Sequence, residues 1–106
     1  MVERTSECTA PSTAPQIRVF VRDSSGNGVP GKEVWINWEG GADRFFTGFK
    51  PEIDPGYGDF VMAVDQIYSV GLDKASSIIV SGFRAEPCAG EGRTSWQLVL
   101  EPVTPE

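Results

Sequence analysis

Few residues in this chain can do chemistry, and the type most often asked to do it is missing: none of the 106 residues is histidine. Ser-His-Asp and Cys-His constellations and histidine-ligated metals are therefore excluded. Three carboxylates, Glu52, Asp54 and Asp59, fall in and just after the loop "KPEIDPGYG". Two acids at the right separation can serve as acid and base, but in a Pro- and Gly-punctuated loop of an acidic chain they read as solvated side chains. The expectation is a protein that is not an enzyme and needs no cofactor.

The run "DSSGNG" sets Asp23, Ser25 and Asn27 at alternate positions before Gly28, as a calcium loop begins. The twelfth position is Val34, where such a loop needs a bidentate glutamate, so an Asx-stabilised turn is expected and no metal site. Cys8 and Cys88 are too far apart in sequence for a CxxC metal or redox motif. One precedes the first strand pattern and the other the last, which brings them together in a sandwich. A disulfide is expected, and with it an oxidising, extracellular or cell-surface setting.

Aromatic residues supply the remaining candidates. In "KEVWINWE" and "DRFF", Trp35 and Phe46 fall on one strand face with Asn37, Glu39 and Arg44 beside them. Sugars stack on such rings through their C–H faces, and flanking polar groups orient them. Phe20 extends the platform if its strand joins the same sheet. Exposed rings serve equally well to dock a neighbouring domain, and composition favours docking over a glycan.

What positions these residues is a pattern of period two. In "IRVFVR", Ile17, Val19 and Val21 share one face while Arg18, Phe20 and Arg22 share the other. A four-residue "GGAD" loop would then pair Glu39 with Arg44, Trp38 with Phe45 and Val34 with Phe49. Val34, Ile36, Trp38, Phe45 and Phe49 form the core face under that register, and Trp35 faces outward. Later strands place Phe60, Met62 and Val64 inward, then Tyr68, Val70 and Leu72, and finally Trp96, Leu98 and Leu100. Seven strands without a helical segment predict an all-β, Ig-like (prealbumin-like) antiparallel sandwich. It spans residues 16–101 as a single domain, between linker-like segments at 1–15 ("MVERTSECTAPSTAP") and 102–106.

Charge and hydropathy remove further classes. The net charge is −6 and the nine basic residues are scattered, so no positive patch exists for nucleic acid. No apolar run approaches the roughly 20 residues of a membrane helix. The opening residues also lack the apolar stretch of an intact secretory signal, which suggests a module of a longer precursor.

"VRDSSGNGVPGKEVWINW", with "GDFVMAV" and "IYSVGL" after it, resembles the transthyretin-like modules grouped with carboxypeptidase regulatory-like domains and the B-type repeats of collagen adhesins. The resemblance covers roughly residues 16–72 and rests on turn geometry. It implies a spacer, stalk or accessory module in a secreted multidomain protein. Adhesin repeats carry an isopeptide bond from a first-strand lysine to a last-strand Asn or Asp. Here the first strand has Arg18 and Arg22, "TSWQLVL" has neither acceptor, and Lys32, Lys50 and Lys74 lie elsewhere, so none is expected.

The expectation is thus a non-catalytic structural or interaction module whose partners are neighbouring domains or another surface protein. The alternatives are a carbohydrate-binding module using Trp35, Phe46 and Phe20, and a surface array or filament joined through edge strands.

Overall fold

The structure, a computed structural model, describes residues 2–74 and 78–101; the expected 102–106 tail lies outside the described residues. Eight strands are described: β1 (Val2–Thr9), β2 (Gln16–Val21), β3 (Glu33–Trp38), β4 (Gly41–Phe46), β5 (Tyr57–Val61), β6 (Ile67–Leu72), β7 (Ile78–Arg84) and β8 (Arg93–Leu100). They form two four-stranded sheets in the orders β1-β8-β2-β5 and β4-β3-β6-β7. The described residues are all-β, as expected, but they form eight strands rather than seven. Nor is it wholly antiparallel, because β2 runs parallel to β8, pairing Ile17 with Trp96 and Val21 with Leu100.

The additional strand is β1, which occupies part of the segment expected to be a linker. Only its last residue, Thr9, is buried, so there is no apolar alternation to read. What holds it is a continuous ladder to β8, from Val2 opposite Leu100 to Thr9 opposite Arg93. The expected disulfide joins its end to Cys88, just before a 3-10 turn at Ala89–Glu91. Arg4 adds a third tie. Its guanidinium donates to the Ser81 and Gly82 carbonyls of β7 (2.9 and 3.2 Å) and lies 4.3 and 4.5 Å from the Phe83 and Trp96 ring centres.

Between the sheets lie the residues whose alternation was legible: Ile17, Val19 and Val21 from β2, Val34 and Ile36 from β3, Val70 and Leu72 from β6, and Leu98 and Leu100 from β8. Each buried aliphatic side chain contributes about 1.5–3 kcal/mol relative to exposure. Trp38, Phe60 and Tyr68 bring their ring centres within 5.4–6.1 Å of one another, a cluster built from both sheets. Trp38 is therefore a core-edge residue, half-buried and packed on the interior.

Two inward assignments fail. Val64 is 54% exposed, because β5 ends at Val61 and the chain turns away. Phe49 is exposed for a different reason: the β3–β4 hairpin closes through Glu39–Gly40 alone. Trp38 then pairs with Gly41, Trp35 with Arg44 and Val34 with Phe45. Gly40, at φ +94°, supplies the positive angle that a two-residue turn demands at its second position. This register differs from the expected one by four residues, an even slip that keeps every side chain still within β3 and β4 on its expected face. It does end β4 at Phe46 and leaves Phe49 in the following loop.

Candidate functional site

Outer edges decide what this sandwich can present. β1 and β7 are the edges on one side, and Arg4 bridges them; β4 and β5 are the edges on the other. Near this second seam lie two constellations, one on the outer face of β3 and β4 and one in the cleft between β4 and β5.

The first contains most of the sequence candidates. Trp35 and Arg44 are direct cross-strand partners, and the guanidinium lies 5.4 Å from the Trp35 ring centre and 5.8 Å from that of Phe46. Both distances fall within cation–π range. Glu33 on β3 holds the guanidinium from the side at 2.6 Å. Trp35 faces outward as expected, yet it is half-buried, and Gly71 of β6 lies opposite it. Its indole Nε1 is buried and has no acceptor among the described residues. Leaving such a donor unpaired costs about 1–3 kcal/mol.

The other candidates are distributed differently. Asn37 lies two residues further along the same face, in register with Ala42 and Ser69. Glu39 sits exposed at the hairpin tip. Phe20 does not extend the platform. Its strand belongs to the other sheet, where its ring meets Tyr57 at 5.0 Å between centres and Arg22 lies 5.6 Å from its own centre. Trp35 and Phe20 are thus on opposite outer faces, and Arg44 already occupies the space beside Trp35.

The second constellation escaped the sequence reading. After β4 the chain crosses from one sheet to the other, fixed at its start by buried Thr47. The Thr47 hydroxyl donates to the Val29 carbonyl (2.7 Å) and accepts from the Lys32 amide (3.0 Å). Gly48, at φ +100°, turns the chain, and its amide reaches the Tyr57 carbonyl at 3.1 Å. Lys50 is thereby brought to β5, where its ammonium is 2.9 Å from Oδ2 of Asp59, and the Tyr57 hydroxyl donates to the same oxygen at 2.8 Å. These groups line a cleft of about 200 Å³ with Phe45, Phe46 and Phe49. Gly58 forms its floor: any Cβ there would collide with the Phe45 ring, which rests against the glycine.

Among the described residues, Tyr57 is the ionisable group most altered by its surroundings. Burial is the largest cause, followed by the hydrogen bond to Asp59 and then by the charge of Asp59; together they push the phenol up to about 12, against an opposing pull from Arg18. Between the ordinary tyrosine value near 10 and about 12, the folded protein keeps this proton while the unfolded chain has lost it. The unfolded state then binds fewer protons, so this contribution is complete below pH ~10 and declines as pH rises toward 12. Urea midpoints measured from pH 9 to 11 should accordingly fall more steeply for the parent than for Tyr57→Phe; parallel declines would refute the assignment.

Asp54 and Asp59 have separate partners. Asp54 accepts the Gly56 amide at 2.8 Å and pairs with Arg22 at 3.0 Å, while Asp59 is held by Lys50 and Tyr57. "DSSGNG" forms the expected Asx turn, in which Oδ1 of Asp23 accepts the Ser25 and Asn27 amides at 2.9 and 3.0 Å.

Comparison with known proteins adds no relative: no family model, no curated protein and no solved structure matches this chain.

Proposed function

We propose that this protein is a non-catalytic structural and interaction module of a secreted or cell-surface multidomain protein, built on a prealbumin-like sandwich. The observation that carries the interaction role is the Trp35–Arg44–Phe46 ladder. It is an ordered, partly desolvated set of Trp, Arg and Phe on an outer sheet face, and Trp and Arg dominate the energetic centres of protein interfaces. Because the guanidinium already covers the rings, the ladder suits a protein surface that can extend the stack better than a sugar face that needs a bare ring. The disulfide supports an oxidising location. The pairing of β2 with β8 agrees with the resemblance to adhesin repeats, where first and last strands are close enough to be cross-linked. In support of a non-catalytic role, the two loop acids best suited to joint acid/base work are taken by separate cations, Arg22 and Lys50.

The test is an array of extracellular and cell-surface proteins probed with the parent and with Trp35→Ala/Arg44→Ala, both verified as folded. Saturable binding to a defined protein that the double variant loses by about tenfold or more, the scale of one hot-spot pair, is expected. Binding indifferent to the double variant would remove the ladder from the interface. Turnover of ester, peptide or glycoside substrates by the parent would end the non-catalytic reading.

A further inference from the structure

We infer that the cleft between β4 and β5 is a subsite for a single neutral pyranose ring, a ligand class that does not depend on the ladder described above. Its walls are rings, and the Phe49 ring is 79% exposed although it is among the largest apolar side chains in the chain. An exposed ring beside a cleft offers a flat apolar face, which the C–H face of a sugar matches. The cleft, at about 200 Å³, holds one ring and little more.

Charge narrows the ligand further. Lys50 and Asp59 neutralise one another at 2.9 Å, so the cleft selects neither an anion nor a cation. Both nonetheless keep hydrogen-bonding capacity. Lys50 has two further N–H donors, and the Lys50 and Tyr57 contacts both fall on Oδ2 of Asp59, leaving Oδ1 to accept from a ligand. A carboxylate oxygen next to an ammonium is complementary to neighbouring hydroxyls, each of which both donates and accepts. An aliphatic or aromatic peptide side chain would fill the volume but bury Oδ1 and the ammonium without partners, at a cost that sugar hydroxyls avoid. Tyr57 keeps its proton well above neutral pH, so it continues to orient Asp59.

The experiment is an NMR titration of isotope-labelled protein with hexasaccharides of glucose, mannose, galactose, xylose and N-acetylglucosamine, followed at the Phe49, Lys50 and Asp59 amides. Saturable shifts at these amides with at least one sugar are expected, while the Trp35 and Arg44 amides stay in place. Affinity should fall about tenfold or more in Phe49→Ala, whose ring can be removed without opening the core, and similarly in Asp59→Asn. The inference is overturned if none of the five sugars shifts these amides, or if Phe49→Ala binds as the parent does. A proline-rich decapeptide shifting them where the sugars do not would reassign the cleft to peptide and overturn it as well. Phe46 borders both sites, but Trp35 and Arg44 do not line the cleft, so the Trp35→Ala/Arg44→Ala comparison tests the ladder separately.

Discussion

Gly56→Ala is expected to destabilise the fold by about 3–5 kcal/mol, a loss of roughly 15–25 °C in Tm. A Cβ at this buried position would run into the Val21 carbonyl oxygen and approach the Val29 amide nitrogen at 2.8 Å and the Gly28 Cα at 3.1 Å. All three are backbone atoms, and none can yield by a side-chain rotation. Four segments meet here. The Val21 amide donates to the Gly56 carbonyl, the Val29 amide to the Val21 carbonyl (both 2.9 Å), and the Arg22 amide to the Leu100 carbonyl at 2.8 Å. Making room for one methyl breaks at least two of these bonds and shifts the loop carrying Asp54. Gly26→Ala is the useful comparison, since it has no neighbour within 4 Å but sits at φ +86°. It should cost only the positive-φ strain of about 1–2 kcal/mol. Urea unfolding of both variants measures the difference, and a Gly56→Ala loss no larger than that of Gly26→Ala would show that the loop accommodates the methyl.

Removing the disulfide is the second large change. Cys8 and Cys88 are 80 residues apart, and closing a loop of that length is worth about 4.5 kcal/mol in the chain-entropy model. Cys8→Ser/Cys88→Ser, or reduction of the parent, should therefore cost about 2–5 kcal/mol, and dithiothreitol should have no further effect on the double variant. The loss should also be uneven. Apart from Thr9, β1 has exposed side chains, so without the cross-link it is held by its ladder and Arg4. Its amides should then exchange with solvent fastest, while those at Val19 and Val70 remain the most protected. A double variant with the parent's urea midpoint would contradict the assignment, and equal acceleration at β1 and in the core would contradict the local part.

How much of this was legible in the sequence depends on which force holds each piece. β2, β3, β6 and β8 were visible because one face of each is packed in the interior, so the alternation at 17/19/21 or 98/100 records burial directly. β1 was invisible because backbone bonds, a disulfide and one arginine hold it, and none of these leaves a period-two signature. The hairpin faces were right except at Phe49, and its register was wrong. Faces depend on parity, whereas register depends on whether the turn uses two residues or four, and glycines at 40 and 41 permit both. The outward setting of Trp35 and the inward setting of Trp38 followed from parity alone. Phe20 was misjudged as a platform neighbour because strand order across sheets is not written in alternation. The cleft was missed for a related reason: Lys50 and Asp59 come together only when β4 and β5 become edge strands on the same side.

The pairing of Val2 with Leu100 also decides how the molecule would respond to force. Polypeptide entering before Val2 and leaving after Leu100 does so at one end of a single sheet, on adjacent antiparallel strands. A module joined this way hangs beside the path of the chain, like a pendant, instead of adding its 45 Å length to a rod. Tension across the two ends peels β1 from β8 one pair at a time, which demands far less force than shearing whole strands past each other. Peeling of β1 stops at Cys8, where the covalent link to Cys88 takes the load. The disulfide thus sets how much of β1 can be drawn out before the load passes to a covalent link.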